Sequence, residues 1–219
     1  MSRLLRSAMI AVLIASLSAS ADPALGAARP LGNILFAENA RLGSVAAAVG
    51  ATVFAGDRIA TDAGGSIRIR IGTGQIYMPA ASTITLSAAA DAGVSATLTR
   101  GAVGFAAQEE SLIVVRASEA LIRPKTSQPT HGQVELVGPK ELLVSSYRGA
   151  LEVVVGTEVN TVPEATTYRV LLETEPQEPV GVGAAKATRG RAVLIFVGAA
   201  IAATAITFVI LQNLSPEKP

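Results

Sequence analysis

The chain contains no cysteine and no tryptophan, a single histidine at position 131, and only 4% aromatic residues. Without cysteine there are no disulfides, thiolate nucleophiles or cysteine-ligated metals. One histidine cannot build a multi-histidine metal site. With three tyrosines and no tryptophan, an aromatic platform for stacking sugar rings is lacking as well. An excess of either charge is also missing: setting aside Arg3, Arg6, Glu217 and Lys218, residues 22–191 carry 15 basic and 16 acidic side chains. That balance excludes binding to nucleic acid by electrostatics.

The 219-residue chain does have long apolar runs, one near each end, and they raise its hydrophobic fraction to 50%. At the N-terminus, Arg3 and Arg6 precede about ten apolar residues, half the length a membrane-spanning helix needs, and then Ala19-Ser20-Ala21. A basic start, a short apolar stretch and a small-x-small site define a secretory signal peptide over residues 1–21, cut after Ala21. Residues 192–211 (AVLIFVGAAIAATAITFVIL) lack charge and proline; a helix of that length is about 30 Å long and crosses a bilayer. They are expected to form one transmembrane helix followed by a short tail, 212–219. Lys186, Arg189 and Arg191 on its N-terminal side oppose the positive-inside rule, but the export signal takes precedence and places the body outside the cytoplasm. Gly198 and Ala202 stand at small-xxx-small spacing, which permits close helix pairing.

Between these ends the pattern changes. Ile67, Ile69 and Ile71 alternate with Arg68 and Arg70, and Val134-Glu135-Leu136 and Leu151-Glu152-Val153 alternate likewise. Residues 83–86, 95–99, 112–115, 142–145 and 167–171 are rich in Val, Ile, Leu and Thr. Turn signals divide these runs at Gly56-Asp57, Ala63-Gly64-Gly65, Gly72-Thr73-Gly74, Asp91-Ala92-Gly93 and Gly138-Pro139-Lys140. Many short strands at that spacing predict an all-β domain of stacked sheets, a sandwich or short β-solenoid, over residues 22–173. Only residues 39–50, with Ala46-Ala47-Ala48, leave helix and strand open. Residues 174–191, with Pro176, Pro179 and several Glu and Gly, read as a linker. There is also an internal echo: Leu98-Thr99-Arg100-Gly101-Ala102-Val103 returns as Ser146-Tyr147-Arg148-Gly149-Ala150-Leu151, 48 residues later. Two copies of one β-meander unit are expected, with Gly101 and Gly149 at backbone positions of positive φ.

No catalytic, cofactor-binding or metal-binding set is predicted. His131, in Gln128-Pro129-Thr130-His131-Gly132, reads as a solvated turn residue; no Gly-x-Ser-x-Gly elbow occurs; Gly72-Thr73-Gly74 lacks the lysine of a phosphate loop. Glu109-Glu110 and the pair Asp57 and Asp62 read as exposed or turn-capping carboxylates, too few for calcium.

Ala55-Gly56-Asp57-Arg58-Ile59-Ala60-Thr61, then Gly65-Ser66-Ile67-Arg68-Ile69-Arg70, Ala81-Ser82-Thr83-Ile84-Thr85-Leu86 and Leu98–Phe105, taken in that order, resemble the FecR domain family. The motif positions are Gly56, Asp57, Thr61, Gly65, Ser82, Gly101 and Gly149. The resemblance implies an extracytoplasmic all-β domain that binds or signals across the bacterial envelope. The chain departs from the family's anti-sigma regulators: its membrane segment follows the domain, and no cytoplasmic regulatory region precedes it. It is similar instead to stand-alone, membrane-tethered members. The expected function is therefore a non-enzymatic domain, anchored in the inner membrane and facing the periplasm. Its partners would be the membrane and another envelope protein or polymer, with no cofactor and no nucleic acid. The alternatives are a signalling component acting through helix pairing at Gly198 and Ala202, and a hydrolase using carboxylates such as Asp57 and Glu109.

Overall fold

The computed structural model describes residues 29–89, 93–108, 113–174 and 190–199. The expected signal peptide and tail, Asp91-Ala92, Glu109-Glu110 and nearly all of the linker lie outside them. The described residues form strands and turns only. In chain order the strands are β1 (Pro30–Leu42), β2 (Val45–Ala46), β3 (Thr52–Phe54), β4 (Arg58–Ile71), β5 (Gly74–Met78), β6 (Thr83–Ala88), β7 (Val94–Ala107), β8 (Ile113–Ala117), β9 (Ala120–Pro124), β10 (Thr130–Gly138), β11 (Glu141–Arg148), β12 (Leu151–Val155), β13 (Glu158–Val162), β14 (Thr166–Thr174) and β15 (Gly190–Ala199).

All fifteen belong to one hydrogen-bonded sheet that bends into two layers. The bend is made by long strands that change partners half-way. The first half of β4 pairs with β6 through Arg58–Ala60, and its second half pairs with β5 through Ile67–Ile71. Likewise β7 pairs with β6 and β8 before Arg100-Gly101, and with β5 and β10 after it. The pairings give a first layer of β3, the start of β1, the end of β4, β5, the end of β7, β10, β11, β14 and β15. The second layer holds β2, the end of β1, the start of β4, β6, the start of β7, β8, β9, β12 and β13.

Alternation decides which side chains fill the space between the layers. Ile67, Ile69, Ile76, Met78, Val103, Phe105, Val134 and Val144 from the first layer join Ile59, Ile84, Leu86, Ala96, Val115, Ile122 and Val153 from the second in a single buried cluster. Full burial of one such Ile or Phe stabilises by roughly 1.5–3 kcal/mol. The core manages without tryptophan because many small side chains let the layers approach. Gly132 is the extreme case: a Cβ there would sit 2.8 Å from Leu151 Cδ1 and 3.0 Å from Phe105 Cζ.

The 48-residue echo is a structural repeat. In the β6–β7 hairpin Leu86 faces Ala96, Thr85 faces Thr97, Ile84 faces Leu98 and Thr83 faces Arg100. In β10–β11 the positions 48 further on, Val134 and Val144, Gln133 and Ser145, Gly132 and Ser146, His131 and Arg148, pair in the same register with the bulge at the same place. The copies lie in opposite layers. Beyond the hairpins the likeness relaxes: β7 and β8 are parallel, whereas β11 and β14 are antiparallel.

Three expectations change. Ala63-Gly64-Gly65 does not reverse the chain; it lies inside β4, where Gly64 at φ +76° lets the strand bend from one layer to the other. Residues 39–50 hold no helix: β1 runs through Leu42, and a tight turn at Gly43 leads to β2. Residues 192–199, the start of the expected transmembrane helix, are extended here and belong to β15, antiparallel to β14. Val193 and Ile195 are β-branched, which suits an edge strand beside β14 as well as a bilayer. Residues 200–211 lie outside the described residues, and among the described residues no helix is long and apolar enough to cross a membrane.

Gly101 has φ +74°, and a Cβ there would lie 2.6 Å from both Ala81 O and Ser82 Oγ. Gly43 has φ +62° with nothing near its missing Cβ. Gly43→Ala should therefore cost only left-handed strain, about 1 kcal/mol. Gly101→Ala adds a backbone clash and should cost about 2–4 kcal/mol. Urea denaturation midpoints compared at constant m-value check the difference.

Candidate functional site

Five of the seven motif residues build the framework at the bend. Thr61 Oγ1 donates to Pro79 O at 2.5 Å and accepts from Ser82 N at 3.0 Å. Ser82 Oγ in turn donates to Ala80 O at 3.2 Å and accepts from Ala102 N at 3.0 Å, beside Gly101. Thr61 and Ser82 are both buried, so this relay satisfies groups that water cannot reach. Gly149, φ +69°, repeats the arrangement against Thr130, whose Oγ1 would be 2.8 Å from a Cβ. Gly65 packs on the backbone of Glu38 and Asn39 where β1 bends. Gly56 and Asp57 form a separate turn: Asp57 Oδ2 accepts from Phe54 N at 2.8 Å, and Gly56 N donates to Leu86 O at 2.8 Å.

The chemistry-bearing side chains collect elsewhere, on the outer face of the first layer. Because Ile67, Ile69, Val103, Phe105 and Val134 point inward, their neighbours Arg68, Arg70, Ala102, Gly104, Ala106, His131 and Gln133 point outward. Pairing registers set these into two rows that cross the strands. One row runs Arg70, Gln75, Ala106, His131, Arg148. The other runs Arg68, Tyr77, Gly104, Gln133, Ser145, Thr167. Neither row contains a carboxylate. The central strand, β7, contributes only Ala102, Gly104 and Ala106, and the longer neighbours close over it: Tyr77 is 7% exposed and packs on Ala106, itself 4% exposed.

Three groups on this face have displaced acidities. Burial raises the Tyr77 hydroxyl above its ordinary value, opposed by the Arg68 guanidinium and a hydrogen bond with Ser66. Burial lowers Arg68, opposed by Tyr77. Burial, then the charge of Arg148, lowers His131. Two polar atoms in one row, Gln75 Oε1 and His131 Nδ1, are buried without a hydrogen-bond partner, one on each side of Ala106. Around them the polar groups are matched: Tyr147 Oη donates to Gln133 Oε1 at 3.2 Å, and Ser145 Oγ shares a hydrogen bond with Thr167 Oγ1 at 2.9 Å. Displaced titrations and unmatched polar atoms gathered on one surface make this face the candidate site.

The repeat supplies an internal comparison. Where copy one presents Thr83, Thr85, Thr97 and Thr99 outward, copy two presents His131, Gln133, Ser145 and Tyr147. The inward positions stay small or aliphatic in both copies apart from Ser146, whose hydroxyl bonds the carbonyl of Gly149. The copies therefore diverge in chemistry on the solvent side.

His131 is thus not a solvated turn residue; it is half-buried on β10. The turn ends one residue earlier, where Thr130 Oγ1 donates to Gln128 O at 2.9 Å. Asp57 and Asp62 serve structure: the first caps its turn, and the second forms an exposed ion pair with Arg41 at 3.7 Å. Glu109 and Ala202 lie outside the described residues, and Gly198 lies on β15 opposite Thr167. No cluster of three or more metal-ligating side chains occurs among the described residues. Tyr77, Gln75 and Gln133 escaped the sequence reading; aligning the two copies and comparing outward positions would have singled out Gln133 and His131.

No family model and no curated protein matches the chain. Among solved structures it is similar to two crystal structures of a candidate anti-sigma factor from Parabacteroides distasonis. One, at 1.65 Å resolution, is 16% identical with a TM-score of 0.43; the other, at 2.50 Å, is 14% identical with a TM-score of 0.44. Each match covers 52% of this chain and 54% of that chain, so the chain aligns with about half the length of those structures.

His131 gives the face a pH signature. Its folded-state acidity lies below the ordinary 6.5, so between those two values the unfolded chain binds more protons than the folded one. Its contribution to stability is complete above pH 6.5 and declines as pH falls from 6.5 toward the lowered folded value. His131→Gln should flatten the change in thermal midpoint between pH 7 and pH 5.5. An unaltered slope would show that His131 does not titrate differently on folding.

Proposed function

We propose that the chain is a non-enzymatic binding domain of the bacterial envelope, exported by residues 1–21 and facing the periplasm. The FecR-like order of motifs from Ala55 to Phe105 supports the extracytoplasmic setting. The observation that carries the binding role is the outer face of the first layer. Arg68, Arg70 and Arg148 flank the unmatched Gln75 and His131 there, on a rigid sheet whose opposite side is packed core.

The chemistry favours binding over catalysis. The two rows offer cationic donors and neutral polar groups, with Glu135 beyond them on β10 opposite Ala102, but no nucleophile beside a base, and the lone histidine is held neutral by burial. A flat sheet face suits an extended partner, either a polymer or the surface of another envelope protein. The occupant would satisfy Gln75 Oε1 and His131 Nδ1 and pair with the exposed Arg70 and Arg148.

A photo-crosslinking amino acid placed at Ser145 tests this in intact cells. It should give a discrete adduct, whereas the same probe at Arg116, outward-facing on the second layer, should give none. Equal adducts at both positions, or none at either, would remove the binding role from this face. A reporter fused after Glu173 should be active only outside the cytoplasm, and activity inside would reverse the orientation.

A further inference from the structure

We propose that the free edge of β15 is where a second copy of this chain adds. The two β15 strands would pair antiparallel about a twofold axis at Leu194 and join two sheets into one.

The edges of the sheet are not alike. Among the described residues β15 pairs with β14 alone, so the backbone groups along its far side face no strand. The same holds for β2, β3 and β13, each of which pairs with one neighbour. Those three are protected in ordinary ways. β2 and β3 have two and three residues, and β13 has five, starts with Glu158 and runs into Pro163-Glu164. β15 has ten residues, and from Ala192 to Ala199 it carries neither charge nor proline. Its one irregularity lies towards its end, opposite Thr167 and Tyr168. A long apolar edge of this kind is a template for strand addition.

The strand is also complementary to itself. Strands that extend one sheet keep its faces, so an outward residue must stand opposite an outward residue. Val193 and Ile195, opposite Leu171 and Arg169, are 41% and 45% exposed. An axis at Leu194 sets each Val193 opposite the second copy's Ile195. Both pairs are then β-branched and apolar, the kind of side chain that a pleated, half-buried surface favours.

Charge fits the same register. Arg191, the one charged residue of β15, falls opposite Val197, which leaves the two copies of Arg191 about 20 Å apart at about 3.4 Å per residue. That exceeds the ~10 Å over which exposed charges act in salt. On the neighbouring β14, Arg169 is already paired with Glu141 at 2.9 Å. No like charges are therefore brought face to face. A twofold pairing closes both edges at once, whereas an unrelated strand would leave its own far side open. The chain's own continuation is a poor cover, since a strand returning along β15 needs a tight turn and residues 199–212 contain no Gly, Pro, Asn or Asp.

The chain has no cysteine, so an introduced thiol reports only its own contacts. Two full-length copies with different tags, one V193C and the other I195C, are co-expressed and mildly oxidised. A disulfide between them is expected, because facing residues lie within the Cα separation that a disulfide accepts, about 4.4–6.8 Å. V193C alone should give at least fivefold less, since the two copies of residue 193 are diagonal neighbours about 7–8 Å apart. A V193C chain that links to itself as readily as to I195C would mean a parallel arrangement, such as pairing of membrane helices, and would overturn the proposal. Light scattering of the full chain in detergent should give twice the monomer mass. V193K should halve that mass, whereas V159K, the same change at an exposed position on β13, should not. Loss of the dimer with both lysines would overturn the assignment to β15. The cross-link requires no charged substitution, so it decides the question if V193K fails to fold. A monomer that gives no mixed disulfide would show that residues 200–211 or another protein cover the edge, and the proposal would fall.

Discussion

A β-strand that passes from one layer of a sandwich to the other must bend sharply without losing its hydrogen bonds. In this protein the bend is made by single residues of positive φ. Asn39 does this in β1, Gly64 in β4, Gly101 in β7, and Gly149 between β11 and β12. Everything else depends on those points. They let one continuous sheet enclose its own core, and the buried hydroxyls of Thr61 and Ser82 hold the bend at Gly101 by linking Pro79, Ala80 and Ala102. Without them the apolar face of each long strand would lie open to water along half its length.

The repeat explains how a framework and a site coexist in so few residues. Pairing register is shared by the two hairpins, so inward and outward positions are fixed alike in both. Inward positions answer to packing. Outward positions are free, and one copy keeps short hydroxyl side chains there while the other carries an imidazole, an amide and a phenol. Residues from β4 and β5, which precede both hairpins, complete the face. No contiguous segment contains it.

Much of this could be read from the chain before the structure. Ile67, Ile69 and Ile71 alternate with arginines, and that alone fixed the core side of β4 and the outward side that became part of the site. Gly101 and Gly149 were legible through their shared Arg-Gly-Ala context. The short strands β5, β9 and β13 were not, because each carries a turn-forming residue, Gly74, Pro124 and Asn160 respectively, that masks its alternation. His131 was misplaced for a related reason: its neighbours Pro129 and Gly132 are turn formers. The glycine is there because Phe105 and Leu151 fill the space, and only the tertiary structure reveals that. The apolar run from residue 192 illustrates a deeper ambiguity. Its β-branched residues suit an extended strand on the edge of β14 as well as a helix in a lipid bilayer, and composition alone does not choose between the two.

The close approach at Gly132 has a consequence for how the protein can vary over time. The matching position in the first copy is Ile84, a full-sized core residue, so the two halves of the repeat divide volume differently: one has no side chain where the other half's Phe105 inserts its ring. The ring and the missing side chain form a complementary pair separated by 27 positions in the sequence. Neither can drift alone. A smaller residue at 105 leaves an empty hollow, and anything larger at 132 collides with the ring, so in descendants of this chain the two sites should covary.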